Sequence, residues 1–435
     1  MCPILPMSHL PDLRQLAAWL RLELEPGIGP IHARSLIKIF GDASNLFEAS
    51  HDELRSRGSE KLANQISQPL SVAKNRAIEH ALRWQEEPGN HILTLGHPSY
   101  PKQLAQLDDA PIVLYVRGDL TCLNKGALAI VGARQATADG KERAMSFARL
   151  LANRGYCVVS GLAHGIDAAA HRGALSAQDG TGSTIAVMGT GVDIVYPPSH
   201  HGLADEILNR GGALISAMRL NTPALPVHFP RRNRIVAGLS AGVLVVEAAL
   251  RSGSLITARE AADMGREVFA IPGSIRSALS RGPHALIRQG AVLVETADDI
   301  LEELGQMVHP TSFTDHQVEQ ITPAQPCLPP SQGVLPILDA QSWSRPSHTS
   351  PTRSESPSRS ISPPAIKPDS PVWHAIGYDP VTEDTVLRRT RMSLADMQTQ
   401  LLDLLVQGWV EKDATGRIFR SDRALVNGTS KGVET

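Results

Sequence analysis

The sequence predicts an α/β chain: a core built on a parallel-rich sheet, preceded by a helical region and followed by a small winged-helix domain. Three observations predict it. Between residues 91 and 300, short apolar β-rich segments alternate with helical stretches. Residues 10–88 carry helical apolar spacing and no strand-like run. From residue 371, three helical segments precede a hairpin pattern.

The helical region comes first, at 10–88. LRQLAAWLRLELEPGIGPIHARSLIKIFGDASNLF has apolar residues at helical spacing, interrupted by PGIG. Asp42 or Ser44 caps the next short helix. Two helices joined around Gly27 and Gly29 resemble a helix-hairpin-helix or SAM-like unit. A tight glycine turn there exposes backbone N–H groups that can hold a phosphate, with Arg34 and Lys38 on the following helix.

The core spans 89–305. ALAIVG, YCVVSG, TIAVMG, VLVVEA and EVFAIPG are strand-like, and four of them end in glycine directly or through proline. Helical stretches such as KERAMSFARLLANRG lie between them. Near-continuous apolar strands in this rhythm belong to a parallel sheet covered on both faces. Ligands of such sheets sit at the carboxyl ends of the strands. The preceding ILTLGHPSYPKQLAQLDDAPIVLYVRGD adds a strand or two.

From 306 to 370 the composition changes. Thirteen of the chain's 31 prolines fall between 310 and 371, and too few apolar residues remain to order the backbone, so a flexible linker is expected. The winged helix occupies 371–422. Ser393 caps its third helix, where Leu394, Met397, Leu401, Leu404 and Leu405 share a face. The other face shows Asp396, Gln398, Gln400, Asp403 and Gln407, with no lysine or arginine, which argues against groove reading by this helix. A protein contact or a domain brace suits it better.

Composition narrows the function. The chain has 435 residues, 42% of them apolar, and a formal net charge of -2. Any nucleic-acid site is therefore a local patch and not a basic surface. The four cysteines form no CxxC pair, which fits a reducing, cytoplasmic compartment and no structural zinc. The N-terminus lacks a signal-peptide pattern, and no apolar run is long enough to span a membrane.

The strand ends carry the candidate chemistry. In AIVGAR, Gly132 ends a strand and Arg134 stands just beyond it, which suits a phosphate. No GxGxxG pattern is present, so no dinucleotide cofactor is expected. In SGLAHGIDAAAH, Gly161 and Gly165 permit a sharp turn, and Asp167 caps a helix or bonds neighbouring loops. His164, His171 and Asp167 lack the spacing of a metal site. In FPRRNR, Arg231, Arg232 and Arg234 flank Asn233 before a strand, and the arginine fork matches phosphate oxygens. Phe229 either stacks a base or belongs to the core. Glu247 orients an arginine instead of doing acid–base work. SGSLITA offers Ser252, Ser254 and Thr257 at a helix start. Aromatic residues make up only 4% of the chain, so stacking is not expected to dominate.

Taken together, IVGAR, SGLAHGIDAAAH, TIAVMGTGVDIVYP, FPRRNRIVAGLS, VVEAALRSGSLITAREAADMGREVFAIPG and PHALIRQGAVLV resemble the DNA-processing protein A family, DprA or Smf. The resemblance covers about residues 91–300. It implies an extended Rossmann-like core that dimerises, binds single-stranded DNA and loads the RecA recombinase during natural transformation, with no catalytic reaction. It also implies that Gly132, Ala133, Arg134, Arg231, Arg232, Asn233 and Arg234 line the DNA surface. This chain departs from the family pattern at Ala133, usually serine, and at Ser216-Ala217-Met218, where the family has SE. Two rival readings remain. One is a nucleotide hydrolase like the phosphoribohydrolases, whose PGGxGTxxE loop is replaced here by RSGSLITAREAA. The other is an adaptor working through the winged helix.

Overall fold

A computed structural model describes residues 13–178, 183–305, 369–377, 379–413 and 415–421. Six helices open the described chain: α1 (Leu13–Glu23), α2 (Pro30–Phe40), α3 (Ala43–Glu48), α4 (His51–Arg57), α5 (Glu60–Ile66) and α6 (Val72–Gln85). Four of them start on a side chain that takes a backbone N–H. Asp42 accepts from Ser44, Ser50 from Glu53, Ser59 from Leu62 and Ser71 from Lys74. Each cap satisfies a donor that the first turn leaves open. Gly27 takes φ +75° in the α1–α2 turn, and Pro30 begins α2 where a missing N–H costs nothing. Leu16, Leu20, Leu36 and Leu46 share one core with Ile112, Tyr115 and Leu214, so the helical region packs directly on the sheet. Arg34 donates to the carbonyls of Ala105 and Leu107.

The sheet has nine strands: β1 (Asn90–Thr94), β2 (Val113–Gly118), β3 (Ala127–Val131), β4 (Cys157–Ser160), β5 (Ser183–Val187), β6 (Ala213–Ser216), β7 (Gly242–Val245), β8 (Glu267–Ala270) and β9 (Val292–Leu293). Their order is β1-β2-β6-β5-β4-β3-β7-β8-β9. Strands β6 to β9 in that order run parallel, while β2 lies antiparallel to β6 and to β1. A short α7 (Lys102–Ala105) joins β1 to β2. The crossovers are α8 (Ala138–Asn153), α9 (Ile166–Leu175), α10 (His201–Asn209), α11 (His228–Gly238), α12 (Gly253–Asp263) and α13 (Arg281–Arg288), and α14 (Ala297–Leu304) follows β9. Strands β3 to β7 are buried along their whole length, which is why they read as unbroken apolar runs. The chain steps outward from β3 through β4, β5 and β6, then returns to the other side of β3 with β7. Ligands of open α/β sheets bind where the order reverses, and here that crevice lies beyond Val131 and Val245.

The FPRRNR segment is helical, the first half of α11, and not an extended entry to a strand. Phe229 to Arg234 therefore point in several directions around a helix, and the three arginines meet different fates.

The tail forms α15 (Pro371–Ala375), α16 (Glu383–Thr390), α17 (Leu394–Val406), β10 (Val410–Lys412) and β11 (Ile418–Arg420), the last two paired antiparallel. Ser393 caps α17 as expected, through Asp396. Trp373, Val386, Met397, Leu401, Leu404 and Trp409 form its core. Leu394, expected on the inner face, opens α17 and is 53% exposed, and the core contact begins at Met397. The linker expected at 306–370 lies outside the described residues up to 368. The tail is held against the first turns of α8. Arg389, 11% exposed, pairs with Asp139 at 3.3 Å and Glu142 at 3.0 Å, and Arg143 pairs with Asp379 at 3.4 Å.

Candidate nucleic-acid interface

Strand β3 delivers its residues into a tightly packed loop. A Cβ on Gly132 would strike Ile166 and the carbonyl of Glu247, so only glycine fits. The Ala133 amide donates to the Glu247 carbonyl at 2.6 Å, and its own carbonyl accepts from Ile166. Ala133, which the resemblance puts on the DNA surface, is buried, and its amide is taken by the Glu247 carbonyl. The Glu247 carboxylate accepts from the Thr137 amide at 2.9 Å and hydroxyl at 2.6 Å. It fixes the start of α8 and, among the described residues, makes no hydrogen bond to an arginine, where the sequence reading has it orient one. Burial raises its pKa above the ordinary carboxylate range, against the Thr137 bonds.

With the loop held this way, Arg134 faces out, as does Gln135 next to it. The Arg134 guanidinium lies 5.5 Å above the Phe229 ring. Among the described residues it makes no hydrogen bond and no ion pair.

Arg232 has the opposite fate. It is 5% exposed and donates to the carbonyls of Gly161 and Val187 and, through Nε, to Asn233. It ties the ends of β4 and β5 to α11, so its donors are spent largely within the fold. Burial lowers its pKa while Asp167 pulls it up. A Cβ on Gly161 would overlap that guanidinium, so the lack of a side chain at Gly161 is what admits Arg232. Asp167 accepts from the amides of Gly161 and Ala163, at 3.2 and 3.4 Å, and burial raises its pKa. Arg234 is paired with Asp109 and Glu260, and the hydrogen bond to Asp109 leads in raising its pKa. Arg231 is exposed and unpaired among the described residues, and it faces away from Arg134.

The third wall is the start of α12. Ser252 caps it by accepting from the Ser254 amide. Ser254 spends its hydroxyl on the Gly132 carbonyl at 2.8 Å, and Thr257 is buried. These residues shape the wall, and their hydroxyls are largely committed within it.

The three walls enclose a groove of about 550 Å³ at the reversal point of the sheet. Gly132, Arg134, Arg232, Asn233, Ser252, Ser254 and Thr257 meet there, while Ala133, Gly161, Arg231 and Arg234 do not line it. Sequence reasoning missed Tyr196, which is 42% exposed with its ring 5.8 Å from that of Phe229. Its signal was an aromatic residue in the turn VYPP just past β5. Low aromatic content concealed that Phe229 gathers the Tyr196 ring and the guanidinium groups of Arg134 and Arg232, the last at 5.9 Å. A guanidinium beside aromatic faces suits a phosphate backbone with stacked bases.

The histidines near the groove serve the fold. Thr184 donates its hydroxyl to Val158, so His171 Nδ1 donates to Thr184 Oγ1 at 2.8 Å. Burial pushes the His171 pKa down to about 3. His164 packs edge-on against His200 at 4.7 Å.

Comparison with known proteins follows the same lines. Residues 91–305 match the family described as DNA recombination-mediator protein A, and residues 356–414 match the DprA winged helix domain. The chain is 48% identical to Protein Smf of Escherichia coli over 234 residues, spanning 54% of this chain and 62% of that protein. It is 30% identical to Protein Smf of Synechocystis over 412 residues, 93% of this chain and 98% of that protein. The X-ray structure of DNA processing protein A from Streptococcus pneumoniae superposes with a TM-score of 0.56 at 33% identity, covering 67% of this chain and 98% of that one.

Proposed function

Because the chain belongs to the DNA recombination-mediator protein A family, called DprA or Smf, we propose that it binds single-stranded DNA in the groove beyond β3 and β7. The observation that carries this reading is Arg134: an exposed, unpaired guanidinium beside Phe229 and Tyr196, at the sheet's reversal point. The strand's phosphates meet Arg134, and its bases stack on the rings without sequence preference. The bound strand is then passed to the RecA recombinase, a step supported by family membership. Self-association through the core is supported by the same membership and by the edge strand β9, where Leu293 is 47% exposed. Among the described residues no helix is long and apolar enough to cross a membrane. A cytoplasmic setting suits the DNA partner and the free thiols of Cys122 and Cys157.

The reading is one of binding without a reaction. The carboxylates around the groove are committed to the fold. Glu247 holds Thr137, Asp167 holds two loop amides, and Glu260 is paired with Arg234. A hydrolase would need one of them free to face a substrate. The winged helix serves as a brace or protein contact, because α17 exposes Asp396, Gln398, Asp403 and Gln407 and no basic residue.

The test is the affinity of the full chain for oligo(dT) against a blunt duplex at matched salt, alongside turnover of a nucleotide panel. Tighter binding of the single strand, weakening as salt rises, is expected. Equal or tighter affinity for the duplex, or hydrolysis of a nucleotide, overturns the reading.

A further inference from the structure

A second cavity, of about 710 Å³, lies where the helical region meets the sheet. Building on the single-strand reading above, we infer that this cavity receives one nucleobase of the bound strand, with a neighbouring phosphate on Arg231.

The walls fit a flat apolar ring. Ile28 comes from the α1–α2 turn, Ile31 from the first turn of α2, Leu107 and Ile112 from the β1–β2 connection, and Met218 from the loop after β6. Apolar walls with a few placed polar groups are the usual make-up of a small-ligand site, and the volume lies in the usual range. The polar group is Glu23 at the end of α1. Its carboxylate oxygen accepts from the Tyr115 hydroxyl at 2.9 Å. Burial raises this carboxyl to about 7, with the Tyr115 bond working the other way. A carboxyl that is partly protonated near neutrality both donates to and accepts from the edge of a base.

Charge at the mouth completes the fit. Arg234 also lines the cavity, but Asp109 and Glu260 neutralise it. Arg231 lines the same mouth and, among the described residues, has no carboxylate partner. It is the arginine left to meet a phosphate.

Helix α11 links the two cavities. Arg232 and Asn233 line the groove, while Arg231 and Arg234 line the second cavity. A helix with its side chains is about 10–12 Å across. A strand crossing the first turn of α11 thus reaches from Arg134 on one side to Arg231 on the other. The Ala217-Met218 pair, where this chain departs from its family's usual pattern, sits in that second cavity.

Fluorescence anisotropy on the full chain tests the inference, with oligo(dT) and an abasic oligonucleotide of equal length. Ala217→Phe fills the cavity. It is expected to weaken oligo(dT) about tenfold, the worth of a stacked base, and to leave the abasic strand unchanged. Ile31→Asp is the control for folding, since Ile31 is exposed, and it is expected to act in the same direction. A strand carrying 5-iododeoxyuridine is expected to photocrosslink to Met218 or Ile31 in the wild-type chain. Binding of oligo(dT) by the wild type with no selective loss in either variant, or crosslinks confined to Tyr196 and Phe229, overturns the second cavity alone. Failure of the wild type to bind oligo(dT) overturns the single-strand reading and this inference with it.

Discussion

Replacing Arg134 by alanine separates a ligand contact from a structural one. The guanidinium has no hydrogen bond or ion pair among the described residues, and only the Phe229 ring lies beneath it, at 5.5 Å. Its removal leaves no buried group without a partner. The fold therefore loses an exposed cation–π contact, worth about 0.5–1 kcal/mol, while the charge that favours ionised Asp167 and opposes the Arg232 cation disappears with it. Binding loses more. A charge-assisted hydrogen bond to a phosphate contributes about 1.5–3 kcal/mol, so affinity for oligo(dT) should fall about tenfold to a hundredfold. One phosphate contact fewer should also flatten the dependence of log affinity on log salt by about 0.7. Arg134→Lys should restore that slope but not the full affinity, because the ammonium lacks the planar fork. The assay is anisotropy at three salt concentrations, with urea unfolding of each variant as the control. A folded Arg134→Ala variant with wild-type affinity and slope would refute the assignment, as would a variant that unfolds several molar earlier in urea.

Three further outcomes follow from the geometry. Arg232→Ala should destabilise the fold by about 3–5 kcal/mol, because it strips a buried charge from Asp167 and two carbonyls, and the urea midpoint reads this. His171 stays neutral in the fold down to about pH 3, against an ordinary value of 6.5, so the unfolded chain binds the extra proton. Its stabilising contribution is complete above pH 6.5 and is lost by about 1.4 kcal/mol per unit as the pH falls toward 3. Glu23, raised to about 7, runs the other way: its contribution is present below 4.5 and is lost as the pH rises through 7. Comparing wild type with His171→Gln cancels the Glu23 part, and equal slopes for the two proteins would contradict the assignment. Finally, removing residues 371–435 should leave oligo(dT) affinity nearly unchanged, since α17 shows phosphate an acidic and amide face. A loss of about tenfold with a shallower salt slope would show that Arg417 or Arg420 on the wing reaches the backbone.

The parallel core was legible because burial on both faces forces unbroken apolar runs. All five expected strands are present, within a few residues of their expected ends. Strand β6 was not, since ALIS is only four residues long and its neighbours supply the pairing. The caps at Asp42 and Ser393 were legible because capping is local. The site was half legible. Glycine and arginine types placed the groove at the correct strand ends, but the separate fates of Arg231, Arg232 and Arg234 depend on which way a helix turns. That direction follows from contacts with Gly161, Val187, Asp109 and Glu260, which lie in four other segments of the chain. Tyr196 was missed for the same reason: nothing near it in sequence announces Phe229.

Gly161 and Arg232 are 71 residues apart, yet they occupy a single volume. Any side chain at 161 evicts the guanidinium, and any shorter residue at 232 leaves a void lined with unsatisfied carbonyls. Neither position can drift by itself. Across natural variants the two should be inherited as one unit, changing together or not at all, while Arg134 remains free to vary with the ligand.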